Sequence, residues 1–236
     1  MTDAVHVSIT EKFYSLYSGG KDSTAVTDWL NERDQLAGIV TFNTGIATPD
    51  WFPFVEKKAR EQWGKEIIVL STLASYDSLV EKYGFPGPGK HGMFMNYLKG
   101  RCVRQFKKRF PGAALASGVR KGESKRRFRN TAEWSTFEGV RVWAPLYDWS
   151  TEQVWAYLRG KGFERSPAYE VLCISGDCLC GAYATAQERA AIKAFYPDLW
   201  LRLDRLEKLT GKQWGWGANR GGRRGSVICV DCESKN

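Results

Sequence analysis

The sequence predicts an α/β protein with a Rossmann-like parallel sheet, flanking helices and a cysteine-rich C-terminal extension. Short apolar segments alternate with amphipathic ones over the first 150 residues, a glycine-rich loop follows the first apolar segment, and five of the six cysteines lie after residue 165. Such alternation is typical of parallel strands joined by crossover helices. We therefore divide the 236-residue chain into an α/β domain over residues 1–165 and a cysteine-rich segment over residues 166–236.

Five apolar segments predict the strands, and these are residues 13–17, 37–43, 66–71, 112–119 and 140–147. Helical spacing, with hydroxyl residues at several starts and glycine at several ends, predicts helices at 23–34, 50–63, 75–84, 93–110 and 150–162. We expect the basic helix 93–110 to be interrupted near Gly100. Residues 84–92, GFPGPGKHG, are too rich in glycine and proline for regular structure and predict a loop.

The termini and the cysteines indicate a cellular compartment. The N-terminal residues lack the basic-then-apolar pattern of a secretion signal, and no apolar run approaches the roughly 20 residues that span a bilayer. We therefore expect a cytoplasmic protein without a membrane partner. Six cysteines in a reducing compartment favour metal or redox ligands over a disulfide framework. The sequence leaves open whether the protein is a homo-oligomer.

The positive charge of the chain is concentrated in one stretch. The formal net charge is +9, and residues 99–129 hold twelve Lys and Arg against a single acid, Glu123. Such a concentration attracts phosphates, so it predicts contact with DNA, another nucleic acid or a polyphosphate. The alternative is an ordinary solvated helix face.

The loop Ser18-Gly19-Gly20-Lys21-Asp22-Ser23 follows the first predicted strand and opens the first helix. Glycines allow a ligand to approach the backbone, and free N–H groups at a helix start point at an anion. Lys21 adds a compact positive charge. An ordinary strand–helix turn requires only one glycine, so the loop predicts a phosphate site. Its spacing differs from that of the common Gly-x4-Gly-Lys-Ser/Thr loop.

This loop resembles the pyrophosphate-binding loop of the PP-loop ATP pyrophosphatases, the adenine nucleotide alpha-hydrolase-like superfamily. That resemblance implies ATP as a ligand, cleavage between its α- and β-phosphates, and adenylation of an acceptor. It also implies that Lys21 and Asp22 are catalytic and that Asp22 lies where Mg²⁺ could be held.

Further segments resemble the phosphoadenosine phosphosulfate (PAPS) reductase-like branch of that superfamily. They are TFNTG (41–45), RCVRQFKKRFP (101–111), SGVRKGESKRR (117–127) and APLYDWSTEQVWAYL (144–158). In the first, an asparagine stands where the family usually has aspartate. The resemblance implies that further nucleotide-binding residues are Asn43, Thr44, Gly45, Gly118, Arg120, Glu123, Ser124 and Arg127, with Arg120 also catalytic.

Sulfonucleotide reductases generally lack the Gly-Gly-Lys-Asp core of the loop, whereas this chain retains it as Gly19 to Asp22. The chain thus resembles most closely the ATP pyrophosphatases of DNA phosphorothioation, of the Dnd and Ssp types. That resemblance implies sulfur transfer to DNA with a cysteine desulfurase as sulfur donor. The alternatives are a sulfonucleotide reductase, a tRNA thiolase and a non-catalytic nucleic-acid-binding protein that uses the nucleotide as a switch.

Five cysteines form two groups that predict a metal centre, namely Cys173, Cys178, Cys180, Cys229 and Cys232. A Cys-x4-Cys-x-Cys group with a distant Cys-x2-Cys can place four thiolates around one centre. Spacing does not separate zinc from iron, and the resemblance favours a 4Fe-4S cluster. One thiol would be spare and could carry sulfur.

Cys102 is the other candidate sulfur carrier, because it lies in the basic segment expected near the nucleotide. We expect a lowered thiol pKa there if Arg101, Arg104 and Lys107 approach the sulfur. The alternative for this cysteine is a small buried apolar residue.

Overall fold

The computed structural model describes residues 11–72, 75–123 and 132–216 of the 236-residue chain. Within these residues lies one six-stranded sheet, whose strands are β1 (Phe13–Leu16), β2 (Leu36–Asn43), β3 (Ile67–Ser71), β4 (Ala114–Ala116), β5 (Trp134–Phe137) and β6 (Val140–Trp143). The strand order is β3-β2-β1-β4-β6-β5, and every neighbouring pair is parallel except β5 and β6. The predicted Rossmann-like α/β class is therefore confirmed.

The described helices are α1 (Lys21–Glu32), α2 (Trp51–Trp63), α3 (Tyr76–Tyr83), α4 (His91–Met95), α5 (Arg101–Arg109), α6 (Thr151–Arg159), α7 (Ala168–Leu172), α8 (Ala186–Phe195) and α9 (Pro197–Thr210). A π-helical segment, Asn96–Gly100, joins α4 to α5, which confirms the interruption expected near Gly100. The predicted loop 84–92 is only partly irregular, because a 3₁₀ turn, Pro88–Lys90, precedes α4. None of the described helices is long and apolar enough to cross a membrane.

Two sets of helices cover the two faces of the sheet. On one face, α1, α2 and α6 pack around a buried cluster that includes Phe13, Leu30 and Trp51. On the other face, α5 packs through Cys102, Val103 and Phe106. Burial of both faces explains why the strands of this sheet read as nearly continuous apolar segments.

A further core lies beside the sheet and involves α3, α4 and the C-terminal helices. It joins Tyr76 and Phe94 to Leu203 and Trp214, all of which are buried. Residues of the two predicted parts of the chain therefore pack into one cluster. The domain boundary at residue 165 stays a prediction.

The strand order places a topological switch point between β1 and β4. The chain runs from β1 outward through β2 to β3, and then returns to the other side of β1 to form β4. In open parallel sheets, ligands bind at the carboxyl ends of the strands where the order reverses. The glycine-rich loop follows β1, and Gly118 follows β4, so both lie at this point.

Candidate nucleotide-binding site

The loop between β1 and α1 is held in a compact conformation. Gly19 has a φ of +80°, which an L side chain rarely adopts, and a Cβ there would lie 2.9 Å from Val55 Cγ1. The Ser18 backbone N–H donates to Ser23 Oγ at 3.2 Å, and Trp51 Nε1 donates to Ser18 O at 2.8 Å. Glycine at position 19 is therefore required by both the turn and the packing of α2.

The N-terminus of α1 faces outward from this loop without a side-chain cap. Gly20 is the N-cap residue and no side chain caps the helix there. The hydroxyls of Ser23 and Thr24 instead donate to Gly20 O, each at 2.9 Å. Uncapped N–H groups at a helix start favour an anion, and phosphate is the usual ligand of such an arrangement.

Asp22 lies between two cations. Arg120 Nε donates to Asp22 Oδ1 at 2.7 Å, and Lys21 Nζ lies 3.1 Å from Asp22 Oδ2. Arg120 is 1% exposed, and its other nitrogens donate to Trp149 O at 3.0 Å and Thr151 Oγ1 at 3.3 Å. The guanidinium thus fixes the first turn of α1 to the start of α6. The three charged groups together carry a net positive charge, which suits a phosphate ligand.

The described contacts give Arg120 a positioning role. Its guanidinium donates to Asp22 Oδ1, Trp149 O and Thr151 Oγ1, and Arg120 is not among the residues that line the cleft. The catalytic role that the resemblance implies stays a prediction. Because each Asp22 oxygen already has a cationic partner, the described geometry does not single out Asp22 as a Mg²⁺ ligand, and Mg²⁺ stays a prediction from the resemblance.

Gly118 lies directly against the first turn of α1. A Cβ at this position would lie 2.7 Å from the backbone carbon of Asp22 and 2.8 Å from Ser23 N. Real Cβ atoms do not approach backbone atoms this closely. Glycine after β4 therefore lets the β1 and β4 loops touch, as the predicted nucleotide-binding role of this position requires.

A cleft of about 1040 Å³ opens above these two loops, large enough for a nucleotide and an acceptor group. Its lining includes six of the predicted nucleotide-binding residues, namely Ser18, Gly20, Lys21, Asp22, Ser23 and Gly118. The cysteine segment lines the same cleft through Cys173, Ser175, Asp177 and Cys178, and it packs against the loop, since a Cβ at Gly20 would lie 3.6 Å from Ser175 Cβ. The structure thus brings the predicted phosphate loop and the free thiol of Cys178 to one cavity. Cys173, which was expected to be a metal ligand, is instead disulfide-bonded.

The segment after β2, residues 43–45, lies next to the cleft but does not line it. The Asn43 side-chain oxygen accepts from the Gly45 backbone N–H at 2.9 Å, which shapes the turn. Thr44 is fully buried and its hydroxyl donates to Asp177 O at 3.2 Å. Thr44 therefore joins the cysteine segment to the end of β2, and the nucleotide-binding roles of Asn43, Thr44 and Gly45 stay predictions. The 3₁₀ turn Lys121–Glu123 follows β4; the Glu123 side chain, Ser124 and Arg127 lie outside the described residues, so their nucleotide-binding roles stay predictions.

Cys102 does not fit the expected role of sulfur carrier. It is fully buried under the sheet, and its Sγ donates to Leu70 O and Leu98 O, both at 3.3 Å. Burial raises the pKa of this thiol to about 11, against a smaller lowering effect of Lys99. The expectation of a lowered pKa was wrong, because Arg104 on α5 points outward to Glu138, at 2.6 Å. Cys102 is a core residue.

The thiols of Cys178 and Cys180 are hydrogen-bonded to each other. This contact lowers the pKa of Cys178, against the effect of burial and with a further lowering by Lys99, and the same contact raises the pKa of Cys180. Cys178 lines the nucleotide cleft and also a second cavity of about 300 Å³, which Cys180 lines too. Cys178 is therefore the described thiol best placed to react at the nucleotide.

An ion pair that sequence reasoning missed supports this thiol. Lys99 Nζ lies 3.1 Å from Asp177 Oδ2, and Ser175 Oγ donates to Asp177 Oδ1 at 2.7 Å. Asp177 raises the pKa of Lys99 well above its usual value, more than burial lowers it. Lys99 could have been singled out as the first cation of the basic stretch, but its pairing with a residue of the cysteine segment has no sequence signal.

The predicted metal centre is only partly described. The thiols of Cys178 and Cys180 are adjacent, and the lowered pKa of Cys178 suits thiolate ligation. No three His, Cys, Asp or Glu side chains are grouped to hold a metal ion within residues 11–72, 75–123 and 132–216. Cys229 and Cys232 lie outside those residues, so a four-thiolate set that includes them stays a prediction.

The fold and the cleft define a class of α/β proteins that bind a nucleotide at the carboxyl edge of a parallel sheet. Residues 12–180 match the family model described as the phosphoadenosine phosphosulfate reductase domain. The chain belongs to this PAPS reductase family, which confirms the PAPS reductase-like resemblance found in its sequence.

One curated relative is the uncharacterized protein MJ0973 of Methanocaldococcus jannaschii, 27% identical over 217 residues. The match covers 82% of this chain and 49% of that protein, so the chain spans about half the length of its relative.

Solved structures share the fold at low identity. PAPS reductase from Candida auris, in a phosphate complex, gives a TM-score of 0.51 at 15% identity, over 67% of this chain and 77% of that one. Candida glabrata FMN adenylyltransferase gives 0.50 at 13% identity, over 89% and 76%.

Proposed function

We propose that this protein is an ATP pyrophosphatase that adenylates an acceptor for sulfur transfer, with the DNA backbone as the acceptor in phosphorothioate modification. The observation that carries the proposal is that the phosphate loop and Cys178 line one cleft. A cysteine thiol is a nucleophile, so its place in the same cleft as the loop favours a reaction of the bound nucleotide over binding alone.

The first half of the reaction uses the loop. Backbone N–H groups at the start of α1 and the Lys21 ammonium hold the β- and γ-phosphates, which stabilises the charge that develops on pyrophosphate as it leaves. An acceptor oxygen attacks the α-phosphorus, the bond from that phosphorus to the bridging oxygen breaks, and pyrophosphate departs. Arg120 keeps Asp22, and with it the first turn of α1, in place.

The second half of the reaction takes place at the cysteine segment of the cleft. A persulfide supplied by a cysteine desulfurase provides the sulfur, which displaces AMP from the acceptor phosphorus. A further thiol then cleaves the remaining sulfur–sulfur bond, which leaves sulfur on the acceptor and forms a disulfide. Cys178 is the described candidate to carry this sulfur.

Two groups would assist when bound. Mg²⁺ would neutralise charge on the triphosphate. A 4Fe-4S cluster, with zinc as the alternative metal, would be held by thiolates chosen from the five C-terminal cysteines, and would hold the cysteine segment in shape or take part in delivering sulfur.

A second candidate function is reduction of a sulfonucleotide, which the family description and the thiol in the cleft both favour. In that reaction a cysteine thiolate attacks the sulfur of a preformed sulfonucleotide, and no ATP is cleaved. The intact Gly-Gly-Lys-Asp core argues for ATP cleavage, because binding of a preformed nucleotide does not require a pyrophosphate site.

The test compares products from ATP and from PAPS. Anaerobically purified protein is incubated with labelled ATP, DNA and a persulfide donor, and AMP, ADP, phosphate and pyrophosphate are separated. We expect AMP and pyrophosphate in equal amounts, and phosphorothioate linkages in the digested DNA. Lys21→Ala should abolish pyrophosphate release, while Lys57→Ala, an exposed lysine on α2, should not. Sulfite from PAPS, with no pyrophosphate from ATP, would establish the reductase instead.

A further inference from the structure

The helix α5 carries positive charge that the nucleotide site does not use. Its nine residues include five cations and no acid, and its buried residues are Cys102, Val103 and Phe106. The cations Lys107, Lys108 and Arg109 are all exposed at the end of the helix. Three cations in the last turn exceed what is needed to complement the negative end of a helix.

Most of these cations lack an acidic partner. Within the described ranges, only Arg104 of α5 forms an ion pair, with Glu138 at 2.6 Å. Arg101 instead lies over the Tyr97 ring, 5.0 Å from its centroid, and Tyr97 stacks on Tyr83. This contact orients the Arg101 guanidinium and leaves it able to bind an anion.

The buried face of the basic helix borders the cleft. The cleft is lined by three residues spaced four apart along α4, the π-helical segment and α5, namely Met95, Lys99 and Val103. From Lys99 to Arg109 the chain advances about 15 Å at helical rise. That length matches about four nucleotides of one strand at 3.4 Å each.

We propose that the exposed side of α5 binds the phosphodiester backbone of a nucleic acid and leads one strand to the cleft at Lys99. The surface consists of Arg101, Lys107, Lys108 and Arg109. Charge complementarity indicates a polyanion, and the length of the surface matches the phosphate spacing of a nucleic-acid strand. The proposal rests on the proposed function only in placing the reacting phosphate at the cleft.

The test is binding of nucleic acid without ATP. The variant is K107Q/K108Q/R109Q, and the matched control is K57Q/R60Q/K208Q, which also removes three cations. These control residues are 63%, 60% and 77% exposed and lie on α2 and α9. Circular dichroism checks that both variants are folded. Fluorescence anisotropy then measures affinity for duplex DNA, single-stranded DNA, tRNA and poly-glutamate over a range of salt concentrations.

We expect the α5 variant to bind its preferred nucleic acid at least about tenfold more weakly than wild type, and the control to bind within about twofold. Three lost phosphate contacts on duplex DNA reduce the slope of log affinity against log salt by about 2.7. Between about 50 and 200 mM salt, wild type should then lose about 40-fold more affinity than the α5 variant. Arg101→Gln alone should weaken binding in the same direction.

Three results would overturn the proposal: no binding of any nucleic acid by wild type, equal loss in the α5 variant and the control, or equally tight binding of poly-glutamate. Pyrophosphate release by wild type is measured separately without nucleic acid. If the α5 surface does not bind nucleic acid, the proposed ATP cleavage is unaffected. If ATP is not cleaved, the binding result is unaffected. The preference among duplex, single strand and tRNA identifies the source of the phosphates.

Discussion

Replacement of Arg120 by methionine should destabilise the protein strongly, because Asp22 would lose its buried partner. Arg120 is 1% exposed and makes a 2.7 Å ion pair with Asp22, while Asp22 is 17% exposed. Removing one partner of a buried pair costs about 3–5 kcal/mol, and the two lost hydrogen bonds add about 1 kcal/mol each. The remaining Lys21 contact and the partial exposure of Asp22 reduce the cost. We therefore expect Arg120→Met to lower the free energy of unfolding by about 3–4 kcal/mol.

The assay is urea unfolding followed by tryptophan fluorescence, with a double-mutant cycle. The double variant Arg120→Met/Asp22→Asn should lose about 2 kcal/mol less free energy of unfolding than the two single variants lose together. The reason is that neither charge is left unpaired in the double variant. The control is Arg202→Met, which breaks a 2.7 Å pair with Asp77 but at a side chain 34% exposed. It should cost about 1 kcal/mol or less. A cost below about 1 kcal/mol for Arg120→Met, or no coupling to Asp22, would refute the positioning role.

Three further predictions follow from the packing. Gly118→Ala should weaken ATP binding and lower the free energy of unfolding by about 1–3 kcal/mol, because its Cβ would lie 2.7 Å from the backbone carbon of Asp22. Gly122→Ala is the control and should have neither effect, since the space around Gly122 is open. Equal effects of the two changes in calorimetry would contradict this. Tyr157→Phe should lower the free energy of unfolding in urea by about 1–2 kcal/mol, because its hydroxyl lies 2.6 Å from a carboxylate oxygen of Glu32 and 2.9 Å from one of Asp28 on α1, and donates to one of them. An unchanged midpoint would contradict this. The pKa of Cys102 is raised from 9.0 to about 11 in the folded protein. The folded state therefore holds the thiol proton more tightly than the unfolded state, and the stability that this contributes is complete below pH 9 and is lost as the pH rises toward 11. Cys102→Ala should flatten that alkaline loss, and iodoacetamide should not label Cys102 at neutral pH.

Strands that the local sequence determines were predicted well. A strand that depends on pairing with another strand was missed. The first three strands begin and end within one residue of the predicted limits. The strand β5 was missed because its four residues are mostly exposed and lack an apolar run. It forms because Glu138 and Gly139 both adopt positive φ, 51° and 72°, which makes the two-residue turn of a β-hairpin with β6. The Glu-Gly pair was a sequence signal for this turn.

The phosphate loop could be predicted because its function lies in consecutive residues. Glycines, a lysine and a helix start determine the site locally, and the cleft contains them as expected. The side-chain directions of Cys102 and Arg120 could not be predicted, because they depend on which face of α5 packs on the sheet and on where α6 begins. The Lys99–Asp177 pair joins residues 78 positions apart, and nothing local indicates it.

The most direct test of the account is a crystal structure with a non-hydrolysable ATP analogue bound. The account predicts that the β- and γ-phosphates lie within about 3 Å of the backbone nitrogens at the start of α1 and of Lys21 Nζ, with the α-phosphorus facing the wall that carries Cys178. Electron density for the triphosphate elsewhere, or a loop that stays empty at saturating nucleotide, would contradict it.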